Sequence, residues 1–301
     1  MSTKEIGLIG LGNMGKNIAD KLHHSGYSLV LYNRTDENYP HFKDRERIYL
    51  SRGIKEFADR LNASEGSSIV WMMIPGGKAT NDTIAEISAM LRKNDIVIDG
   101  SNSIYEDSIA NYNKLKKFGI SYLDVGCAGG PGDLLDGVAL MVGGDNDAYE
   151  RAEDVLKAVS GKGTYGYVGA SGSGHMAKLV HNGIFYGIFP VYSEGVDLML
   201  AMKGKQPEMN FDIKEALRLL GSCPPITTGI MKAIYSAVEE HKLPEDAPVV
   251  KISEMVSWEV EKAGKMGVRL SITKAILEGY SSMSEGSRRI YAGAKRILTG
   301  H

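Results

Sequence analysis

Ile6-Gly7-Leu8-Ile9-Gly10-Leu11-Gly12-Asn13-Met14-Gly15 decides the fold. The apolar run Ile6 to Ile9 reads as a short strand, and it is closed at once by a G-x-G-x-x-G turn. A helical pattern follows, with Ile18, Ala19 and Leu22 on its apolar face. Strand, glycine turn, helix is the context a dinucleotide fingerprint requires. In that reading Gly10 permits the tight turn, Gly12 lets a pyrophosphate reach the backbone, and Gly15 lets the helix pack close to the strand. The pyrophosphate rests on the helix N-terminus, where free amides and the helix dipole favour an anion. The turn residues Asn13 and Met14 belong to the same expected cofactor site.

Working outward, Leu29-Val30-Leu31-Tyr32 supplies a second strand, and it ends in Asn33-Arg34-Thr35. A site for NAD usually places Asp or Glu here to hold the ribose 2′-hydroxyl. Arg34 suits a 2′-phosphate instead, by pairing with it and stacking on adenine. NADP is therefore the expected cofactor, with Asn33, Arg34 and Thr35 around its adenosine end.

Further strands are expected at Ser68 to Ile74, Asp95 to Ile98, Ile120 to Val125, Val138 to Val142 and Thr164 to Val168. The first is almost unbroken in apolar residues, as a strand covered on both faces should be. A helix is expected from about Thr80 to Leu91. Strands alternating with helices indicate a doubly wound sheet with right-handed crossovers. Ligands then bind beyond the carboxyl ends of the strands. The polar and glycine-rich ends collect there: Asn33 and Arg34, Ile74 and Pro75, Asn102, Gly129 and Gly130.

After Val168 the pattern is nearly all helical, interrupted at Gly204 to Pro207, Cys223 to Pro225 and Leu243-Pro244. The expected organisation is a Rossmann-type domain over residues 1–170 and a smaller all-helical domain over 171–301. The helical part opens with Ser171-Gly172-Ser173-Gly174-His175-Met176-Ala177-Lys178-Leu179-Val180-His181-Asn182-Gly183-Ile184-Phe185-Tyr186. Met176, Leu179, Val180 and Ile184 recur at helical spacing and are expected to face the core. Lys178, His181, Asn182 and Phe185 share another face, at i, i+3, i+4 and i+7. Taken alone, that cluster fits a catalytic face and fits equally a lysine reaching for water beside residues that bond the backbone.

The totals set outer limits. The chain of 301 residues has 43% hydrophobic and 24% charged residues and a net charge of −2, ordinary for a globular protein and no reason to expect nucleic acid. No run of about 18 apolar residues calls for a membrane span. Two cysteines, Cys127 and Cys223, make neither a disulfide framework nor a cysteine metal site, and no metal is expected. The start lacks a signal-peptide pattern, so the expected location is the cytoplasm. The Met- and Ile-rich helical half suggests a dimerisation module.

Together, Gly10 to Gly15, Asn33 to Thr35, Asp99-Gly100-Ser101-Asn102-Ser103, Gly129-Gly130 and Gly174 through Gly183 resemble the β-hydroxyacid dehydrogenases, most closely the short form of the 6-phosphogluconate dehydrogenases. Weaker matches lie near Trp258 and in Gly300-His301. The resemblance implies NADP-dependent oxidative decarboxylation of a 3-hydroxy sugar acid, 6-phosphogluconate to ribulose 5-phosphate, in the pentose phosphate pathway. It implies Lys178 as the base and Asn182 as its catalytic partner on the substrate oxygen. It implies substrate contacts from Asn102, Gly129, Gly130, His181 and Tyr186, and from a tail carrying Lys295, Arg296 and His301 that enters a neighbouring subunit, hence a homodimer or dimer of dimers.

Three positions depart from that pattern. Phe185 stands where the resemblance implies a glutamate acid, and phenylalanine has no proton to give. Gly279 stands where it implies a phosphate-binding arginine, a role for which Arg288 or Arg289 is nearby in sequence. Pro131-Gly132-Asp133-Leu134-Leu135 is unlike the usual loop. All three touch substrate rather than cofactor. The alternative they raise is a β-hydroxyacid dehydrogenase that does not decarboxylate, or an imine or ketone reductase of the same superfamily.

Overall fold

A computed structural model describes residues 5–129, 138–222, 229–239, 243–244, 246, 254–265, 267 and 269–299. The chain folds as two compact units, Met1–Lys178 and Leu179–His301. The change in sequence character near residue 170 falls eight residues before that division, because one helix runs through it.

Unit 1 is built on strands β1 (Glu5–Ile9), β2 (Ser28–Tyr32), β3 (Ile48–Ser51), β4 (Ile69–Met72), β5 (Ile96–Asp99), β6 (Ser121–Ala128), β7 (Ala139–Gly144) and β8 (Tyr165–Gly169). They form one sheet in the order β3-β2-β1-β4-β5-β6-β7-β8. All neighbours are parallel except β6 and β7, which run antiparallel. Beside the sheet lie α1 (Asn13–His24), α2 (Ile54–Asn62), α3 (Lys78–Ile87), α4 (Tyr105–Lys116) and α5 (Asn146–Ser160). Every residue of β4 and β5 is buried. One core joins Ile6, Leu8, Leu31, Trp71 and Ile98 to Ile18 and Leu22 of α1 and to Val155 and Val159 of α5. A second, on the other face, joins Val30, Val70, Met72 and Val97 to Phe57 and Leu61 of α2, Ile84 of α3 and Leu115 of α4. The strand order reverses direction at β1 and β4, which opens a crevice at their carboxyl ends. β3 has no expectation in the sequence because an edge strand, half exposed here, carries no continuous apolar run.

The helical elements are α6 (Ser173–Lys205), α7 (Ile213–Leu220), α8 (Gly229–Glu239), α9 (Glu254–Lys265), α10 (Ser271–Tyr280) and α11 (Glu285–Thr299). Unit 2 has its own core of Phe189, Val196, Leu217, Ile234, Tyr280, Ile290 and Tyr291. Pro190 lies inside α6. Its missing N–H leaves the carbonyl of Tyr186 without a helical partner. Tyr280 fills the gap, its hydroxyl donating to that carbonyl at 2.6 Å.

α6 corrects one expectation. Leu179 is buried, but Val180 is 41% and Ile184 58% exposed, and Ile188, Val191 and Leu198 continue the exposed stripe. The polar face is the covered one, with Lys178 and Asn182 buried. Helical spacing identifies a face but does not say whether its cover comes from the same chain.

Candidate active site

The glycine turn has the shape its sequence requires. Gly10 has φ of +95°, and a Cβ there would lie 2.6 Å from the Ile74 side chain. A Cβ at Gly15 would strike the carbonyl of Gly10, so the start of α1 lies flat against the end of β1. Above Gly12 nothing stands within 4 Å. α1 has no side-chain cap and no acidic residue in its first turn. A helix start with neither feature is the setting in which a dinucleotide pyrophosphate rests on a helix N-terminus.

Asn33, at the end of β2, holds the turn. Its Oδ1 accepts the Leu11 N–H at 2.9 Å, and its Nδ2 donates to the Thr35 carbonyl at 2.8 Å. Arg34 and Thr35 are exposed beyond it. At the ends of β4 and β5, Gly76 sits so close to the backbone of Asn102 that a Cβ would lie 2.5 Å from the Asn102 carbonyl oxygen. Thr80 donates its hydroxyl to the Pro75 carbonyl at 2.9 Å, which fixes that loop to α3. The Asn102 side chain is exposed while Ser101 and Ser103 on either side are buried and share a hydrogen bond of 2.6 Å. Turn, Asn33, Ile74-Pro75 and Asn102 thus gather along one edge of the sheet.

Lys178 enters unit 1 on the sixth residue of α6 and lies over β6. A Cβ on Gly126 would fall 2.6 Å from Lys178 Cβ. The lysine is 9% exposed, and burial lowers its amine to about 8, with the Cys127 thiol pulling slightly the other way. Burial in turn pushes the thiol up to about 12, so it stays protonated and neutral. A lysine with that value carries a useful fraction of free amine near neutrality, where an ordinary one has almost none. Gly129, with φ of +148°, packs against Val138, where a Cβ would lie 2.9 Å from that side chain.

In unit 2, Asn182 is buried and His181 half-buried, with His181 Nδ1 3.3 Å from Asn182 Oδ1. Phe185 lies parallel to the His181 ring at 6.3 Å and meets Tyr186 and Phe189 edge-on. Burial raises the Tyr186 phenol. At Gly279 no side chain approaches within 4 Å of a built Cβ. Arg289 donates to the Pro244 carbonyl at 2.6 Å. Gly130, the loop Pro131 to Leu135, and His301 lie outside the described residues. Among the described residues no three His, Cys, Asp or Glu gather as a metal site, and no helix is long and apolar enough to cross a membrane.

Sequence reasoning passed over a buried polar hub behind these loops. Asp99 and Asp124 are register partners on β5 and β6 and are both fully buried. Asp99 accepts from the Tyr122 hydroxyl at 2.8 Å and from the Ser101 N–H at 3.0 Å. Asp124 accepts from the N–H groups of Gly172 and His175. Ser108 Oγ and His175 Nδ1 share a bond of 2.7 Å. The signal was present: a carboxylate inside an apolar strand is almost never buried without partners.

A Rossmann sheet with an uncapped glycine turn, followed by a helix that carries a desolvated lysine, defines an NAD(P)-dependent dehydrogenase acting on a CH–OH group. Residues 5–169 match the family model for the NAD-binding domain of 6-phosphogluconate dehydrogenase. The chain belongs to that family, within the β-hydroxyacid dehydrogenases. It is 29% identical over 99% of its length to a Bacillus subtilis (strain 168) protein named "Putative 6-phosphogluconate dehydrogenase YqeC", of which it covers 98%. It is 30% identical to the decarboxylating 6-phosphogluconate dehydrogenase of Staphylococcus aureus (strain N315), with 99% of this chain but 65% of that one covered. The solved 6-phosphogluconate dehydrogenase of Plasmodium falciparum superposes with a TM-score of 0.76 at 24% identity, over 97% of this chain and 64% of that one. The chain thus spans about two thirds of the length of the decarboxylating relatives.

Proposed function

We propose that the chain oxidises and decarboxylates a 3-hydroxy sugar acid with NADP, 6-phosphogluconate being the substrate, and that Lys178 is the base. The observation that carries this reading is the burial of Lys178, which lowers its amine to about 8. When bound, the nicotinamide supplies the hydride acceptor. Gly10, Gly12, Asn13, Met14 and Gly15 would hold its pyrophosphate, Asn33, Arg34 and Thr35 its adenosine end, and Ile74, Pro75 and Asn102 its nicotinamide end. The exposed guanidinium of Arg34 favours the 2′-phosphate of NADP.

Lys178 Nζ takes the proton of the 3-hydroxyl as the C–H electron pair leaves with its hydrogen. The resulting ammonium then bonds the new ketone oxygen and draws electrons toward it, so the C–C bond to the carboxylate breaks, carbon dioxide departs and the electron pair is left in an enediol, which takes a proton at carbon from water to give the keto product. Asn182 holds the same oxygen, while Asn102, Gly129, Gly130, His181 and Tyr186 orient the chain of hydroxyls. Such proton transfer contributes about 100- to 10,000-fold in rate. On this reading the chain works in the cytoplasm, in the pentose phosphate pathway, and self-associates, with His301 serving a neighbouring subunit.

A second reading, dehydrogenation without decarboxylation or reduction of an imine or ketone, is favoured by one observation. Phe185, packed on His181, offers no proton where the resemblance implies an acid. The test is an absorbance assay of the reduced cofactor with 6-phosphogluconate and with short 3-hydroxy acids, each with a carbon dioxide trap. Turnover of 6-phosphogluconate with one carbon dioxide per reduced cofactor supports the first reading. Turnover of short acids alone, without gas, replaces it with the second.

A further inference from the structure

The start of α6 is fastened to the sheet by a buried carboxylate. Asp124 lies within β6 and is fully buried. Its Oδ1 accepts the Gly172 N–H at 2.7 Å and its Oδ2 the His175 N–H at 2.9 Å, both at the start of α6. Gly143 on β7 makes room for the carboxylate: a Cβ there would lie 2.8 and 2.9 Å from the two oxygens and 2.7 Å from Gly174 N. Gly174 is equally tight, since its Cβ would strike the Asp124 carbonyl. Two residues further along β6, Gly126 receives the Cβ of Lys178. Two bonds at staggered positions fix both the height and the rotation of the first turn of α6. Lys178, three residues after His175, inherits both.

We infer that Asp124 is a positioning residue for Lys178: its carboxylate sets the register of α6 on β6, and so holds the lysine amine in the place where it is stripped of water. The inference rests on Lys178 being the base. Asp99 on β5 is the register partner of Asp124, His175 on α6 donates its N–H to it, and Tyr122 on β6 feels the charge of both carboxylates. Of these Asp99 holds the loop before Asn102 through Ser101. The hub thus fixes the Asn102 loop and the lysine helix from adjacent strand positions.

Two variants of the full chain test this. Asp124→Asn keeps the size but turns an amide N–H toward a backbone N–H. Gly143→Ala keeps the carboxylate and displaces it by contact. Lys178 ionisation is read by trace acetylation with acetic anhydride across pH, quantified by mass spectrometry, and kcat and KM are measured alongside. Misplacing a reacting group by about 1 Å costs about 100-fold in rate, so kcat should fall by about that factor in each variant, with KM for the cofactor near the parent's. The acetylation midpoint should rise from about 8 toward the ordinary lysine value in both. Loss of the negative charge alone would lower it, so an upward move reports position rather than charge. Folded variants with the parental kcat and midpoint overturn the inference, as does a fall of the midpoint in Asp124→Asn with no change in Gly143→Ala. If Asp124→Asn does not fold, Gly143→Ala decides alone. Failure of the base assignment is seen separately, as parental turnover by Lys178→Met.

Discussion

The side-chain oxygen of Asn33 accepts the backbone N–H of Leu11 at 2.9 Å, tying the end of β2 to the glycine turn after β1. That bond joins the two segments proposed to hold the pyrophosphate and the adenosine end of a dinucleotide. Asn33→Ala leaves the Leu11 amide without this partner, at a cost of about 1–3 kcal/mol. The expected result is a melting temperature lower by several degrees and a raised KM for the cofactor, with kcat little changed. Calorimetry and cofactor titration at saturating substrate check it.

On the proposed reading, Arg34 selects NADP over NAD. A charge-assisted bond to the 2′-phosphate is worth about 1.5–3 kcal/mol, or about 10- to 100-fold in affinity. Arg34→Ala should lower kcat/KM with NADP by that factor and leave kcat/KM with NAD nearly unaltered. Equal losses with both cofactors would assign Arg34 no part in selecting the phosphate.

On the proposed mechanism alcohol oxidation needs the free amine of Lys178, and the fraction of free amine grows as pH rises. Because burial places that amine at about 8, log kcat should climb with pH and level off above about 8. A rate–pH profile at saturating substrate measures this. A flat profile through that region would separate turnover from the titration of Lys178.

The exposed stripe of Val180, Ile184, Ile188, Val191 and Leu198 on α6 supports self-association. Ile184→Lys with Val191→Glu should reduce the mass seen by sedimentation to that of a single chain at micromolar protein. An unchanged mass would place the interface elsewhere.

Much of this molecule is legible in its sequence. The strands β1, β2, β4 and β5 show themselves because burial on both faces demands unbroken apolar runs, and the glycine turn because only glycine tolerates the contacts at Gly10 and Gly15. Lys178 and Asn182 stand out as polar residues four apart on an otherwise apolar helix. What stayed hidden depends on partners distant in the chain. Whether Val180 and Ile184 face protein or water is not written in their spacing. Asp124 reads as a polar interruption of a strand until Gly172 and His175, 48 and 51 residues later, are seen to bond it. Tyr280 looks like one more core aromatic until Pro190 is seen to leave the Tyr186 carbonyl open.

On the proposed mechanism, Lys178 takes the substrate proton. The most direct measurement is single-turnover reduction of NADP by 6-phosphogluconate, followed by absorbance, in the parent and in Lys178→Met, with cofactor binding titrated in both. Unchanged cofactor affinity and a hydride-transfer rate lower by about 100-fold or more are expected in the variant. A variant that binds the cofactor and reduces it at the parental rate would contradict it.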